Sequence, residues 1–216
     1  MLAACTFCCQ KSYSQFFFGA KAGFNMSTQS RETGANLKHP LTPGFNAGVF
    51  GEYFFIFNNE LSLSAEILYS MEGYTSKSDN AKYGKYTNKT FLNYVNVPVL
   101  LSYYLLNDRL ALQVGPQFGF CIGGKDKWKY ESESMELNPE SDHALEKEYY
   151  NVFDLGLAVG ANFFFTENIF AGLRYETSFT NSLNKITPAS MSKAKYEYEA
   201  IKSKNQVISL NVGYRF

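Results

Sequence analysis

From residue 16 to the end of the chain, apolar and polar positions alternate with a period of two, the period of a strand whose two faces meet different surroundings. The segment 60–72, ELSLSAEILYSME, shows it most clearly. Leu61, Leu63, Ala65, Ile67, Tyr69 and Met71 take one face, and Glu60, Ser62, Ser64, Glu66, Ser70 and Glu72 take the other. Leu68 alone breaks the pattern. A helix would scatter these glutamates around its circumference. The pattern predicts eight strands, over 16–26, 44–57, 60–73, 91–106, 109–122, 150–165, 168–180 and 205–216.

The connections alternate in length. Short ones lie around Asn58-Asn59, around Asn107-Asp108 and at Thr166-Glu167-Asn168, where Asn and Asp tolerate the positive φ of tight hairpins. Long polar ones are expected over roughly 27–43, 74–90, 123–149 and 181–204. This alternation fits an antiparallel up-and-down barrel with tight turns at a periplasmic rim and long loops outside. A two-residue turn at Asn107-Asp108 places Tyr103 opposite Leu112 and Leu101 opposite Val114, apolar against apolar. The same register sets Pro98 against Gln117 and Pro116 against Val99.

An eight-stranded barrel is either a soluble lipocalin-type cup or a membrane barrel, and the two faces decide between them. One face carries Phe16, Phe18, Phe24, Tyr53, Phe55, Tyr103, Phe163, Tyr214 and Phe216 toward strand ends, with Leu63, Ala65, Val97, Val99, Leu112, Val114, Ala171 and Leu173 in the middles. That is an aliphatic band between two aromatic girdles. The other face is small or charged: Gly19, Gly23, Gly48, Ser64, Gly115, Gly119, Gly156, Gly160 and Gly213, with Lys21, Glu52, Glu66, Asp154, Arg174, Glu176 and Arg215. A soluble exterior would be rich in Lys and Glu rather than Gly and Ser. Small residues suit a narrow lumen that side chains fill. Buried charges must pair, so Lys21, Arg174 and Arg215 are expected to answer Glu52, Glu66, Asp154 and Glu176 in a lumen network.

Composition agrees once the pattern is known. A mean hydropathy of -0.24 is the mild average expected when lipid-facing and lumen-facing residues alternate. Aromatic residues make up 17% and the formal net charge is zero, which gives no electrostatic case for nucleic acid. No apolar run is long enough for a spanning helix. The first 14 residues, MLAACTFCCQKSYS, read as a truncated signal peptide cut before Gln15, with residues 15–216 as the barrel domain. The alternative is a lipobox at Leu2-Ala3-Ala4-Cys5 with Cys5 lipidated. A cut before Gln15 removes Cys5, Cys8 and Cys9, so only Cys121 remains and no internal disulfide is possible.

Several segments resemble the PorT-like outer-membrane β-barrel family: YVNVPVLLSYYL (94–105) with LQVGPQFGF (112–120), and the opening FFFGAKAGFNMS (16–27). The closing VISLNVGYRF (207–216) looks like an assembly signal, with Val212, Tyr214 and Phe216 on one face for the barrel assembly machinery. The resemblance implies the fold and a place in the outer membrane, and raises a role in protein export or envelope assembly. Pro98 and Pro116 each remove a ladder donor from a sheet without edges. They read either as a local bulge serving export or binding, or as a strand kink that sets barrel curvature.

Catalytic sets are absent from the sequence pattern. His39 and His143 fall in expected outer loops, and His143 beside Asp142 and Ser141 defines no triad without geometry. No phosphate-cradling glycine loop, helix-borne metal motif or nucleophile elbow is present, and no cofactor is expected. The loop 125–148 holds Trp128 and a charge run whose Glu131, Glu133 and Glu136 are at most a weak cation site. The polar-aromatic alternation of Lys193, Lys195, Tyr196, Glu197, Tyr198 and Glu199 suggests a hairpin whose edge offers strand addition. The expected function is a non-enzymatic barrel with a filled polar lumen. Its surroundings are outer-membrane lipid, with a protein or glycan partner at the outer loops. The alternatives are an export accessory, a small pore, a barrel enzyme or a lipocalin-like binder.

Overall fold

The computed structural model describes residues 16–31, 40–55, 58–80, 84–131, 140–144, 151–181 and 203–216. Nine strands follow in chain order: β1 Phe16–Arg31, β2 Thr42–Phe55, β3 Asn58–Asn80, β4 Gly84–Leu105, β5 Leu110–Glu131, β6 Glu140–Ala144, β7 Phe153–Phe164, β8 Ile169–Ser178 and β9 Ser203–Arg215. Their order in the sheet is β4-β3-β2-β1-β9-β8-β7-β5-β6, and a further pairing of β4 with β5 closes the ring. The closed barrel is therefore all-β and antiparallel, with eight strands. β6 stands outside it, paired with β5 from Lys125↔Ala144 to Lys129↔Glu140.

Closure removes every sheet edge in the barrel wall, which a bilayer without hydrogen-bonding solvent requires. The candidate leader 1–14, Cys5, His39, Glu133, Glu136 and the 193–199 segment lie outside the described residues.

Burial follows the alternation. Along β8 exposed or half-buried positions alternate with buried ones at each step. Outward rings pair near the short turns, as in Phe16–Phe18 at 4.6 Å, Phe163–Phe165 at 5.3 Å and Tyr214–Phe216 at 5.2 Å. A second set, including Phe45–Tyr69 and Phe120–Phe153, both at 5.6 Å, marks the other end of the band. On β5 the outward apolar run extends from Leu112 to Ile122. That is about ten residues at ~3.4 Å each, tilted by about 40°, or ~25 Å of height. The width is that of an outer-membrane hydrocarbon layer.

Two expectations need correcting. The segment 74–90 is not a loop: β3 and β4 stay paired from Tyr74↔Thr90 to Asn80↔Gly84. The expected loop 123–149 likewise begins as strand, since β5 continues to Glu131 opposite Lys85 and β6 adds to it. Beyond the lipid band the outward face of a strand meets water instead of lipid, so the apolar half of the alternation disappears while the ladder continues. A four-stranded antiparallel sheet, β3-β4-β5-β6, thus rises past the end of the barrel wall.

The short β4–β5 connection, Leu106–Arg109, is also more strained than a pair of Asn and Asp would make it. Leu106, Asn107 and Asp108 are all at positive φ (54°, 54° and 64°), and at Leu106 the left-handed conformation costs about 1–2 kcal/mol.

Candidate functional site

The lumen is the place where functional side chains converge, and it is organised in three tiers. Each tier is built from inward positions of several strands, which alternation delivers automatically once one face of each strand is committed to lipid.

The lowest tier, beside the short turns, is aromatic. Phe50, Tyr104, Ala111, Phe164 and Phe170 form one buried cluster with Phe54 packed against it. Arg215 lies among these rings, its guanidinium carbon 4.8 Å from the centroid of Phe17 and 4.7 Å from that of Phe164. Such stacking suits the weakly hydrated planar guanidinium. Glu52 is its nearby counter-charge at 3.8 Å. Glu52 also accepts hydrogen bonds from Tyr104 Oη at 2.7 Å and Ser62 Oγ at 2.5 Å. Tyr104→Phe removes a donor to a buried carboxylate, and is expected to lower stability by about 1.5–3 kcal/mol. The urea midpoint of the refolded barrel measures it.

The middle tier is an ion triad. Lys21 Nζ donates to Glu66 Oε2 at 2.6 Å. Arg174 grips the same carboxylate with both ends of its fork, Nη1 to Oε2 at 2.7 Å and Nη2 to Oε1 at 2.8 Å. All three residues are buried. Gln113 extends the tier by accepting from Arg174 Nη2 at 3.3 Å and Asn162 Nδ2 at 3.1 Å, and by donating to Ser102 Oγ at 3.1 Å.

The upper tier is acidic. Glu176 lies 3.9 Å from Arg174 Nη1 and accepts from Gln117 Nε2 at 3.1 Å. Glu72 accepts from Asn96 Nδ2 at 3.0 Å. Asp154 is held by the hydroxyls of Ser178, at 2.5 Å, and Thr180.

Of the seven charged residues singled out from the sequence, Lys21, Glu66 and Arg174 therefore meet at mid-height, with Glu176 just above them, 3.9 Å from Arg174. Glu52 and Arg215 meet at the short-turn end, and Asp154 stands apart from both groups with hydroxyl partners. Glu72 belongs to the same lumen and was not among the seven, although its place on the polar face of 60–72 was the signal for it. The aromatic tier was also missed. Phe50, Phe164 and Phe170 have the inward parity of Glu52, Asn162 and Gly172 in their strands, but a large apolar residue at the end of a strand reads as girdle.

Cavities of about 10 Å³ lie between the tiers, each about the room of one water. Among the described residues there is no group of three or more His, Cys, Asp or Glu able to hold a metal. His143 falls on β6 opposite Asp126, and Glu131 on β5 opposite Lys85. Cys121 is a free, buried thiol packed with Leu92 and Tyr94.

The remaining sequence features fall on the barrel wall. Val212, Tyr214 and Phe216 are exposed on the outward face at the short-turn end, where Phe216 N donates to Phe18 O at 2.8 Å. Pro98 points inward and is fully buried, while Pro116 is exposed outward. The β4–β5 register is the same at Pro98↔Gln117 and at Leu101↔Val114, so no residue is inserted at the prolines. The register shift lies higher, at Asn93/Tyr94.

No curated protein matches the chain in sequence. Among solved structures, the chain is similar to Ail, the attachment invasion locus protein of Yersinia pestis, at 16% identity and a TM-score of 0.49, over 94% of this chain and 99% of that one. Neisserial surface protein A is similar at 12% identity and a TM-score of 0.49, over 92% and 97%. OprG from Pseudomonas aeruginosa is similar at 12% identity and 0.43, over 93% and 95%.

A family model described as the outer membrane protein beta-barrel domain matches residues 10–184. This corrects the resemblance to the PorT-like family. The segments 94–105 and 112–120 that carried it are the inward-outward alternation of β4 and β5, which any small membrane barrel shares. With its lipid-wide apolar band and closed ring, the protein is an integral outer-membrane barrel, and the chain belongs to the outer membrane protein β-barrel domain family.

Proposed function

We propose that the barrel is a closed, non-conducting and non-enzymatic anchor that carries a recognition sheet above the outer membrane. The observation that carries this is the pairing of β3 with β4 out to Asn80↔Gly84, with β5 and β6 continuing the same sheet. Strands built past the lipid band contribute nothing to spanning the membrane, and a rigid sheet presents backbone and side chains at fixed spacing to a protein or glycan. The filled lumen supports the same reading. Rings at the short-turn end and the ion triad above them occupy the path that ions would take. Val212, Tyr214 and Phe216, on the outward face of the last strand, are the residues offered to the assembly machinery.

Two measurements test this. In planar bilayers the refolded protein is expected to give no stepwise conductance. Phe50→Ala with Phe170→Ala, which removes two of the rings of the aromatic tier, is expected to introduce transient openings. Cells displaying the barrel are expected to lose adhesion to the bound surface when residues 76–88 are replaced by a tight turn, with the barrel still folded. Steady conductance of the native protein, or unchanged binding without the sheet, contradicts the proposal.

A further inference from the structure

The charges of the lumen do not balance from the ion triad upward. Among the described residues Lys21 and Arg174 are buried there with Glu66, Glu72, Asp154 and Glu176, two cations against four carboxylates. Arg174 and Lys21 both spend their hydrogen bonds on Glu66. Glu72 has only neutral partners, and Asp154 has only hydroxyls. Buried ionised groups need a counter-charge.

The same space has acceptors to spare and too few donors. Asn25 gives its Nδ2 to Ser70 Oγ at 2.9 Å and Met71 O at 3.1 Å, so its Oδ1 accepts from Asn46 Nδ2 at 3.0 Å. That chain fixes which end of the Asn46 amide is oxygen. Asn46 is 6% exposed, and no donor among the described residues meets its Oδ1. Asn211, 5% exposed, gives Nδ2 to Ser209 Oγ and leaves Oδ1 in the same condition. Gln117 does so too, with Nε2 on Glu176 and Oε1 unmatched.

These oxygens line two adjoining cavities. One is bordered by Glu72, Asp154, Glu176 and Gln117, the other by Asn46, Asn211 and Glu176, and Glu176, Asn96 and Val207 belong to both. Each cavity is about 10 Å³, enough for a water or a single small ion and for no organic ligand. The space is roofed by β3. The β2–β3 ladder runs no higher than Asn46↔Ser70. Above it Ser27, an inward residue of β1, donates to Gly73 O at 2.9 Å and accepts from Gly73 N at 2.7 Å. Residues 72–75 are buried at four successive positions, as a strand lying across the barrel mouth must be.

Size, charge and ligand type together select the occupant. A water supplies donors without charge, and an anion adds to the excess. A divalent cation cancels it. No group of three His, Cys, Asp or Glu among the described residues is placed to hold a metal by itself, so amide oxygens have to complete the shell. That suits Ca²⁺, which takes about six to eight oxygens in flexible geometry, carboxylate and Asn or Gln carbonyl alike. Mg²⁺ keeps several of its waters and needs more room.

We propose that the upper lumen holds one Ca²⁺ between the carboxylates of Glu72 and Glu176, with its shell completed by the amide oxygens of Asn46, Asn211 and Gln117. The ion ties β2, β3, β5, β8 and β9 together below the β3 crossing. The site does not depend on the recognition role of the projecting sheet.

The full barrel, refolded in detergent and stripped with a chelator, tests this by native mass spectrometry and urea unfolding with added Ca²⁺ or Mg²⁺. Wild type is expected to retain one Ca²⁺, with a urea midpoint that rises as free Ca²⁺ rises. Mg²⁺ should act at least about tenfold more weakly. Glu72→Gln with Glu176→Gln is expected to abolish both the retained ion and the Ca²⁺-dependent midpoint. Equal wild-type midpoints with and without Ca²⁺ overturn the proposal and assign the charge balance to protons on the carboxyls. Undiminished Ca²⁺ retention by the folded double variant also overturns it, since the ion then sits elsewhere. If the double variant does not fold, anomalous diffraction from wild-type crystals grown with Sr²⁺ decides. A peak between Glu72 and Glu176 supports the site, and peaks confined to the outside of the barrel overturn it.

Discussion

Glu66→Ala is expected to destabilise the barrel by about 3–5 kcal/mol, because it leaves two buried cations without their shared anion. Lys21 and Arg174 both rest on this one carboxylate, Lys21 at 2.6 Å and Arg174 through two parallel bonds. Removing it leaves a pair of like charges in a water-poor lumen, where screening is weak.

The loss is a property of the broken set rather than a measure of what the triad contributes. Replacing Lys21, Glu66 and Arg174 together by apolar residues of similar volume is therefore expected to recover most of the stability. The check is urea unfolding of the refolded barrel in phospholipid vesicles. The single variant's midpoint should fall by more than about 1 M, given slopes of about 1–3 kcal/mol per molar. A cost under about 1 kcal/mol would mean that water reaches the middle tier.

Gly115→Ala is expected to be the most disruptive change of a single methyl on β5. A Cβ there would stand 2.0 Å from the carbonyl oxygen of Val99 and 3.0 Å from the Cα of Leu100. These are backbone atoms of the neighbouring strand, so relief requires moving β4 itself. The close approach belongs to the proline region. Pro116, beside Gly115, has no N–H to give β4, and the missing side chain lets β4 lean across the gap.

The cost should lie at or above the upper end of the 1–3 kcal/mol typical of overpacking. Gly123→Ala on the same strand is the control, since its Cβ would meet nothing within 4 Å. Equal midpoints for the two variants would show that the approach at Gly115 is not needed for closure.

What was legible in the sequence, and what was not, follows from where a residue's two faces differ. Across the bilayer one face meets lipid and the other a packed lumen, so apolar and polar residues alternate and the eight spans and their register can be read. Tyr103↔Leu112 and Leu101↔Val114 stand as expected. Above the bilayer Thr87 and Lys89 are reached by water, and nothing in the polar run 75–90 separates a strand from a loop.

The ends of the lumen were hidden for a different reason. Phe50, Phe164 and Phe170 sit at the height of the girdle, and only strict counting from Glu52 or Gly172 shows that they turn inward. The extra residue at Ile122 was out of reach, because the Gly123-Gly124 that follows it reads equally well as the start of a loop. The likeness to the PorT-like family came from that same shared alternation, which identifies a class of wall and not one family.

The assignment of faces is tested most directly along β9. Single cysteines are placed at each position from 207 to 214 in a background lacking the native cysteines, spin-labelled, and read in phospholipid bilayers for collision with oxygen and with a water-soluble nickel chelate. Labels at 208, 210, 212 and 214, whose native residues are exposed, are expected to meet oxygen and not the chelate, as lipid-facing sites do. Those at 207, 209, 211 and 213, whose native residues are buried, should be protected from both. Free access of the chelate at Ile208→Cys, Leu210→Cys and Val212→Cys would contradict a membrane barrel, because it would place in water the face assigned here to lipid.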